Sequence, residues 1–246
     1  MIFFKNKKNT LSNFFPKGFV DIHSHLLAGI DDGAKNINES IDLITKMSSF
    51  GIKNFITTPH VLGDIYPNSS ENILKKLKEL RLELKKRNIF DVSIHAAAEY
   101  MLDEQFSKRL EEQDILTLKD NFILVEMSYF NAPYNLFEIL FEIQLKGYKP
   151  ILAHPERYHF YNTNFNHFYK LKRAGCLFQL NLLSLTEHYG KEVQKTSQKL
   201  LNKNLYDFVG TDTHHQNHLL LLDKIRTVKT KKLIEALLEN NKQFLK

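Results

Sequence analysis

"FILVEMSY" occupies residues 122–129. Phe122 to Val125 are apolar without alternation, the pattern of a strand buried on both faces in a parallel sheet covered by helices. Glu126 follows at once. A buried carboxylate is costly unless it is paired or binds a cation. The run therefore carries a fold signal and a site signal together.

Six more runs of this kind lie outward from it: "FVDIH" (19–23), "NFITTPH" (54–60), "VSIHAAAEY" (92–100), "PILAHPER" (150–157), "CLFQLNLLS" (176–184) and "DFVGTDTHH" (207–215). Helical periodicity fills the gaps. Ile37, Ile41, Ile44 and Met47 share one face, as do Ile73, Leu77, Leu80 and Leu84. Leu136, Ile139, Leu140 and Ile143 repeat the pattern, and so do Phe165, Phe168 and Leu171. Residues 190–204, 217–228 and 231–245 also read as helices. Strand then helix, seven times over, argues a parallel sheet with helices outside. No linker or composition break interrupts it, so one domain is expected. A closed or nearly closed barrel is the first reading, and a doubly wound open sheet the second.

The composition excludes several classes. The chain has 246 residues, is 43% hydrophobic and carries a net charge of +6 (34 − 28). The lysine runs at 5–8 and 84–87 read as solvated faces. No zinc-finger or aromatic RNA-binding pattern accompanies them, so no nucleic-acid partner is expected. Cys176 stands alone, which rules out an internal disulfide and fits a reducing compartment. "MIFFKNKKNTLSNFFPKGF" is no secretory signal, and no apolar stretch approaches the ~18 residues of a membrane span. A cytoplasmic location follows as the expectation. Residues 1–17 read as an N-terminal extension and 18–246 as the domain proper.

Six of the seven runs end on groups that a core strand cannot use. These are His23 and His25, His60, Glu99, Glu126, His154 with Glu156 and Arg157, and Asp212 with His214; the sixth run is the exception. In a parallel barrel all C-terminal strand ends lie on one face, so these residues would converge. His23 and His25, one residue apart, point the same way if extended. Mixed imidazole and carboxylate donors suit Mn, Fe or Zn. Four carboxylates and five imidazoles exceed the needs of one ion, so two or three divalent transition metals are expected. His95, His159, His167 and His188 read as structural or surface residues. His215 and His218 are left open between a supporting role at the site and none.

With these residues assembled, "HSH…DDGA", "TTPH", "AAEY", "LVEM", "LAHPERY" and "TDTHH" resemble the PHP (polymerase and histidinol phosphatase) superfamily. Within it they resemble the bacterial tyrosine-protein phosphatases of capsule and exopolysaccharide loci. The resemblance runs from about Gly18 to the C-terminal helices. It implies a single-domain distorted (β/α)7 TIM-like barrel with three metals, usually manganese. His23, His25, Glu126 and Asp212 would hold the first ion. Glu99, Glu126 and His154 would hold the second, with Glu126 bridging. Asp32, His60 and His214 would hold the third. Arg157 would bind the substrate phosphate, with Glu126 and Asp212 the other catalytic residues. Ala28 stands where relatives often have proline. "HQNHLLLL" (215–222) lacks a second arginine that some relatives carry, and His215 or His218 would take its place.

The implied activity is metal-dependent protein-tyrosine phosphatase, in which a metal-bridged hydroxide attacks phosphorus without a covalent enzyme intermediate. The implied partner is a phosphotyrosine protein, the tail of a membrane tyrosine kinase that drives polysaccharide export. Tyr129 and Tyr134 in "SYFNAPY" (128–134), with Tyr158, would wall the ring. Two alternatives stand beside this reading: a small-molecule phosphatase of the histidinol-phosphate kind, and a metal-stabilised protein that docks on a kinase without catalysis. A C-x₅-R cysteine phosphatase is excluded, because Leu182 lies six residues after Cys176. Amidohydrolases commonly place a lysine where this chain has Glu126, and TatD-type DNases lack the D-x-H of "TDTH".

Overall fold

The computed structural model describes residues 13–162 and 164–246. Nine short strands form it: β1 (Val20–Asp21), β2 (Asn54–Thr57), β3 (His60–Val61), β4 (Ser93–Ala96), β5 (Glu99–Met101), β6 (Phe122–Glu126), β7 (Lys149–Ala153), β8 (Leu177–Asn181) and β9 (Phe208–Gly210). All ladders are parallel. They fall into two sheets, ordered β1-β2-β4 and β3-β5-β6-β7-β8-β9. The result is one α/β domain with a curled parallel sheet. Strand order in each sheet follows chain order without reversing, unlike the reversal at the centre of a doubly wound sheet, and the only skips are β2 to β4 and β3 to β5, where successive strands alternate between the sheets.

The seven runs yield nine strands because the second and third each break in two. β2 gives way at Thr58–Pro59, and Pro59 has no N–H for a ladder. The third run breaks alongside it at Ala97–Ala98. The chains stay paired through the break, since Ala97 N donates to Thr57 O (2.9 Å) and Glu99 N to Pro59 O (3.0 Å). The expected distorted (β/α)7 barrel is met as far as a single α/β domain with a curled parallel sheet; the ladder falls into two sheets rather than one continuous seven-stranded cylinder. At the margin, Ser24 and Thr213 form an isolated parallel bridge.

Among the described residues eight helices cover the sheet: α1 (Ile37–Ser49), α2 (Ser70–Lys86), α3 (Glu104–Glu112), α4 (Leu136–Leu145), α5 (Asn166–Arg173), α6 (Lys191–Asn202), α7 (Gln216–Ile225) and α8 (Val228–Asn240). Their starts are chemically marked. Asn36, Ser69, Asp103 and Thr227 each accept a backbone N–H of the first turn through their side chains, satisfying donors that a helix start leaves open. Thr227 also explains why the last two helices divide there. α3 lay outside the expected set. It buries only Phe106 and Leu110, too few positions to register as a period.

The core has two parts. A large cluster lies between sheet and helices. A smaller one, with Val20, Ile22, Ile56, Leu124, Ile151 and Phe208 among its members, closes on Phe244. Phe14 and Phe15 are buried in the large cluster, so the described end of the expected 1–17 extension packs on the domain; its residues 1–12 lie outside the described residues. Gly210 positions the site. A Cβ there would sit 2.5 Å from the Cβ of His23 and 2.7 Å from Gln179 Nε2, so only glycine lets β9 approach this closely.

Candidate active site

The polar residues lie just beyond C-terminal strand ends, as in barrel enzymes generally, with His60 and Glu99 falling where β2 and β4 give way to β3 and β5. His60 and Glu99 open β3 and β5, Glu126 closes β6, and His154 follows β7. His23 and His25 follow β1, with Asp32 in the loop beyond. Asp212 and His214 follow β9. The structure brings all nine together. Glu99 Oε2 lies 3.1 Å from His23 Nε2, 3.5 Å from His25 Nε2 and 3.1 Å from His60 Nδ1. Glu99 Oε1 lies 3.0 Å from His154 Nε2. Asp212 Oδ1 is 3.3 Å from His23 Nε2, 3.4 Å from His25 Nε2 and 3.4 Å from His214 Nδ1. Asp32 Oδ1 is 3.5 Å from His60 Nε2 and 3.4 Å from His214 Nε2. His154 (φ 36°) and Asp212 (φ 49°) adopt left-handed backbone, a strained conformation that clusters at functional sites.

The tautomers follow from what holds the far side of each ring. His23 Nδ1 donates to Gln179 Oε1 (2.8 Å), and His25 Nδ1 to Asp31 Oδ2 (2.8 Å). His214 Nδ1 donates to the Asp212 carbonyl (2.9 Å). A neutral imidazole held in this way presents a bare lone pair at Nε2. The Nε2 atoms of His23 and His25, with Glu99 Oε2, are buried and have no hydrogen-bond partner. With neutral rings, lone pairs would face lone pairs, at a cost of several kcal/mol unless a positive charge, a proton or a metal ion, sits between them.

Electrostatics points the same way. Burial works against charge on His23, yet Glu99 and Asp212 outweigh it and hold the ring above the ordinary imidazole range. Burial is likewise outweighed at His25 by Asp31, Asp212 and Glu99, and at His60 by Glu99 and Glu126, which hold His60 up at about 9. The site requires a positive centre. Its donors fit a metal: four groups have candidate atoms within 4.8 Å of one another. They are His25, Asp32, His60 and His214; His23, His154 and Asp212; His23, His25 and Glu99; and His60, Glu99 and Glu126. These groups differ from the sets implied by the resemblance. Glu99 is the carboxylate that two groups share, whereas Glu126 belongs to one, beside His60 Nδ1 (2.9 Å).

Beside the cluster opens a cavity of about 720 Å³, lined by Asp32, His60, Tyr129, Arg157, Tyr189 and Asp212 among others. Arg157 Nη1 lies 3.1 Å from Asp212 Oδ2, and the guanidinium carbon stands 4.5 Å from the Tyr129 ring and 4.1 Å from the Tyr189 ring. Burial opposes its charge, but Tyr129 and Asp212 more than compensate, so it stays a cation. Tyr129 lines the cavity. The other two expected wall residues are corrected. Tyr134 is fully exposed and outside the lining. Tyr158 is fully buried behind Tyr129, accepting from Met127 N (3.0 Å) and donating to Ala153 O (3.2 Å). Glu156 turns away from the site. It accepts from Asn181 N (3.0 Å) and Tyr206 Oη (2.9 Å). His215 and His218 line the cavity. Burial and then His215 push His218 down to about 3, so it offers hydrogen bonds rather than charge.

Four residues at the site were missed. Gln179 and Asn181 come from the sixth run, the one without a polar end. Both are fully buried, and Asn181 Nδ2 donates to Asp212 Oδ2 (2.7 Å). Two amides inside "CLFQLN" were a legible signal by the argument applied to Glu126. Asp31 also accepts from His60 N (3.2 Å); the sequence does not say which aspartate of "DD" turns inward. Tyr189 had no signal.

The family model described as capsular polysaccharide synthesis, CpsB/CapC, matches residues 19–240. The putative tyrosine-protein phosphatase CapC of Staphylococcus aureus is 32% identical over 198 residues, 79% of this chain and 76% of that protein. The tyrosine-protein phosphatase YwqE of Bacillus subtilis (strain 168) is 31% identical over 199 residues, 80% and 77% of the two. A chain from the crystal structures of YwqE from Bacillus subtilis and CpsB from Streptococcus pneumoniae, described as metal-dependent tyrosine phosphatases, aligns with a TM-score of 0.83. It is 28% identical, over 92% of this chain and 94% of that one.

Proposed function

Because this chain belongs to the CpsB/CapC family of capsular polysaccharide synthesis, we propose that it is a metal-dependent protein-tyrosine phosphatase. The observation that carries this reading is the set of unpartnered buried atoms, His23 Nε2, His25 Nε2 and Glu99 Oε2, facing one another beside a cavity that holds a cationic arginine. We assign His23, His25, Asp32, His60, Glu99, Glu126, His154, Asp212 and His214 as the residues that hold two to three divalent ions, manganese first. Bound there, the ions supply Lewis acidity towards a water and the phosphate oxygens.

The chain's own residues do the rest. Arg157 offers donors to the phosphate in a fork matched to its oxygens. Asp212 anchors that arginine through Oδ2 and turns Oδ1 to the histidines. Gln179 and Asp31 fix the rings of His23 and His25 through Nδ1 and aim Nε2 at the cluster, where a bound cation would meet its lone pair. Tyr129 walls the aromatic ring of a phosphotyrosine. A phosphoserine stem is too short to bring its backbone past such a wall. Cys176 takes no part. It is buried, and burial pushes its thiol up to about 12, so no thiolate nucleophile exists near neutral pH.

The finer reading extends to partner and place. The substrate is the phosphotyrosine tail of a membrane tyrosine kinase that controls capsule or exopolysaccharide synthesis, and the enzyme acts in the cytoplasm. Among the described residues no helix is long and apolar enough to cross a membrane. The domain begins near residue 18, and its two sheets are parts of one distorted seven-unit barrel, a reading supported by the Ser24–Thr213 bridge. Kinetics on matched phosphotyrosine, phosphoserine and histidinol-phosphate substrates, with manganese added and removed, tests the assignment. Phosphotyrosine should lead, and only with metal. Equal efficiency on histidinol phosphate would favour the small-molecule alternative, and no turnover on any ester the docking protein.

A further inference from the structure

Arg157 does not stand alone in the cavity wall. Tyr189 reaches it from the segment between a 3₁₀ turn (Leu182–Leu185) and α6. Its ring lies 4.1 Å from the guanidinium carbon, closer than Tyr129 at 4.5 Å. Its hydroxyl accepts from Asn181 Nδ2 (3.1 Å), and the same amide donates to Asp212 Oδ2 (2.7 Å). Arg157 Nη1 donates to that same oxygen (3.1 Å). The contacts close a cycle: Tyr189, Asn181, Asp212, Arg157 and back to Tyr189.

The two tyrosines differ in what holds them. Tyr129 is 41% exposed on the loop after β6, whereas Tyr189 is tied to Asn181, a fully buried strand residue. We infer that Tyr189 is the positioning residue for Arg157, fixing the guanidinium where the phosphate arrives. The inference rests on the reading of Arg157 as the phosphate-binding residue. Its physical basis is preorganisation. A free arginine side chain carries much rotamer entropy, which binding must remove. An aromatic face under the cation, partly desolvated, confines it beforehand. Asp212 gains as well, since both donors to Oδ2 are held by the same tyrosine and Oδ1 keeps its aim at the histidines.

The test uses metal-loaded protein, with binding of inorganic phosphate by calorimetry beside kinetics on a phosphotyrosine peptide. Tyr189→Ala should weaken phosphate binding about tenfold, as loss of a partly desolvated cation–π contact would. KM should rise more than kcat falls, with metal content unchanged. Tyr189→Phe keeps the ring and should recover most of the loss; Tyr189→Leu supplies a bulky apolar control should the alanine variant fold poorly. In an Arg157→Ala background, Tyr189→Ala should add nothing. A full extra penalty in that background would overturn the inference, as would a phenylalanine variant no better than alanine or leucine. If Arg157→Ala alone leaves phosphate binding intact, the phosphate reading of Arg157 itself fails, a result distinct from either.

Discussion

Along β6, Leu124 and Glu126 point to the same side two residues apart, and they meet opposite environments. Leu124 packs with Ile22, Ile56, Ile151 and Phe208 in the small cluster that closes on Phe244. Glu126 joins His60 and Glu99. The lower layer is held by apolar area alone, which is non-directional and tolerates volume-conserving exchange. The upper layer is equally buried but specified atom by atom, because each nitrogen and oxygen taken from water needs a partner. One set of strands thus carries stability at one end and chemistry at the other.

Breaking the upper layer should have the largest effect. Glu99→Gln removes the carboxylate that approaches His23, His25, His60 and His154, and should cost roughly a thousandfold in kcat/KM, or ~4 kcal/mol. Elemental analysis should show at least one ion fewer. Glu126→Gln should cost less; if it costs more, Glu126 is the shared ligand after all. Breaking the lower layer should show the contrast. Leu124→Ala should lose about 2–5 kcal/mol of unfolding free energy by cavity formation, with kcat/KM per folded molecule unchanged. A large kinetic defect there would erase the distinction between layers.

Smaller effects sharpen it. Arg157→Ala should cut turnover on every phosphate ester about tenfold or more, since ~1.4 kcal/mol is one decade. Tyr129→Ala should hurt phosphotyrosine more than a small aliphatic phosphate, while Tyr134→Ala, outside the cavity, should change neither; a specific loss at Tyr134 would move the ring wall outward. The smallest effect belongs to Cys176→Ser. With its thiol held up at about 12, Cys176 stays protonated through neutral pH. Turnover should survive the change, and alkylating reagents should not inhibit the native enzyme. A chelator should abolish activity in both forms.

Glu126, His154, Asp212 and the "HSH" pair were legible because each is a costly residue at the end of an apolar run, a local fact of composition. Parallel strands then place such ends on one face, so convergence followed from periodicity. α3 was not legible, for want of apolar positions, and while Pro59 marks a break in the second run, nothing at Ala97–Ala98 marks the matching break in the third. Tyr158 and Tyr134 read alike as aromatics near strand ends, and only burial separated them.

The sequence by itself determined the alternation of strand and helix, the single domain and the inventory of ligand-type side chains, because periodicity and the cost of burying charge are written residue by residue. Tertiary structure alone decided which carboxylate lies at the centre of the cluster, that Nε2 is the unpartnered nitrogen of His23 and His25, and that Tyr189 stands against Arg157. Those depend on distances of a few ångströms between segments as far apart as residues 23 and 179. The register of each strand and the close approach at Gly210 set such distances, and no local pattern encodes them.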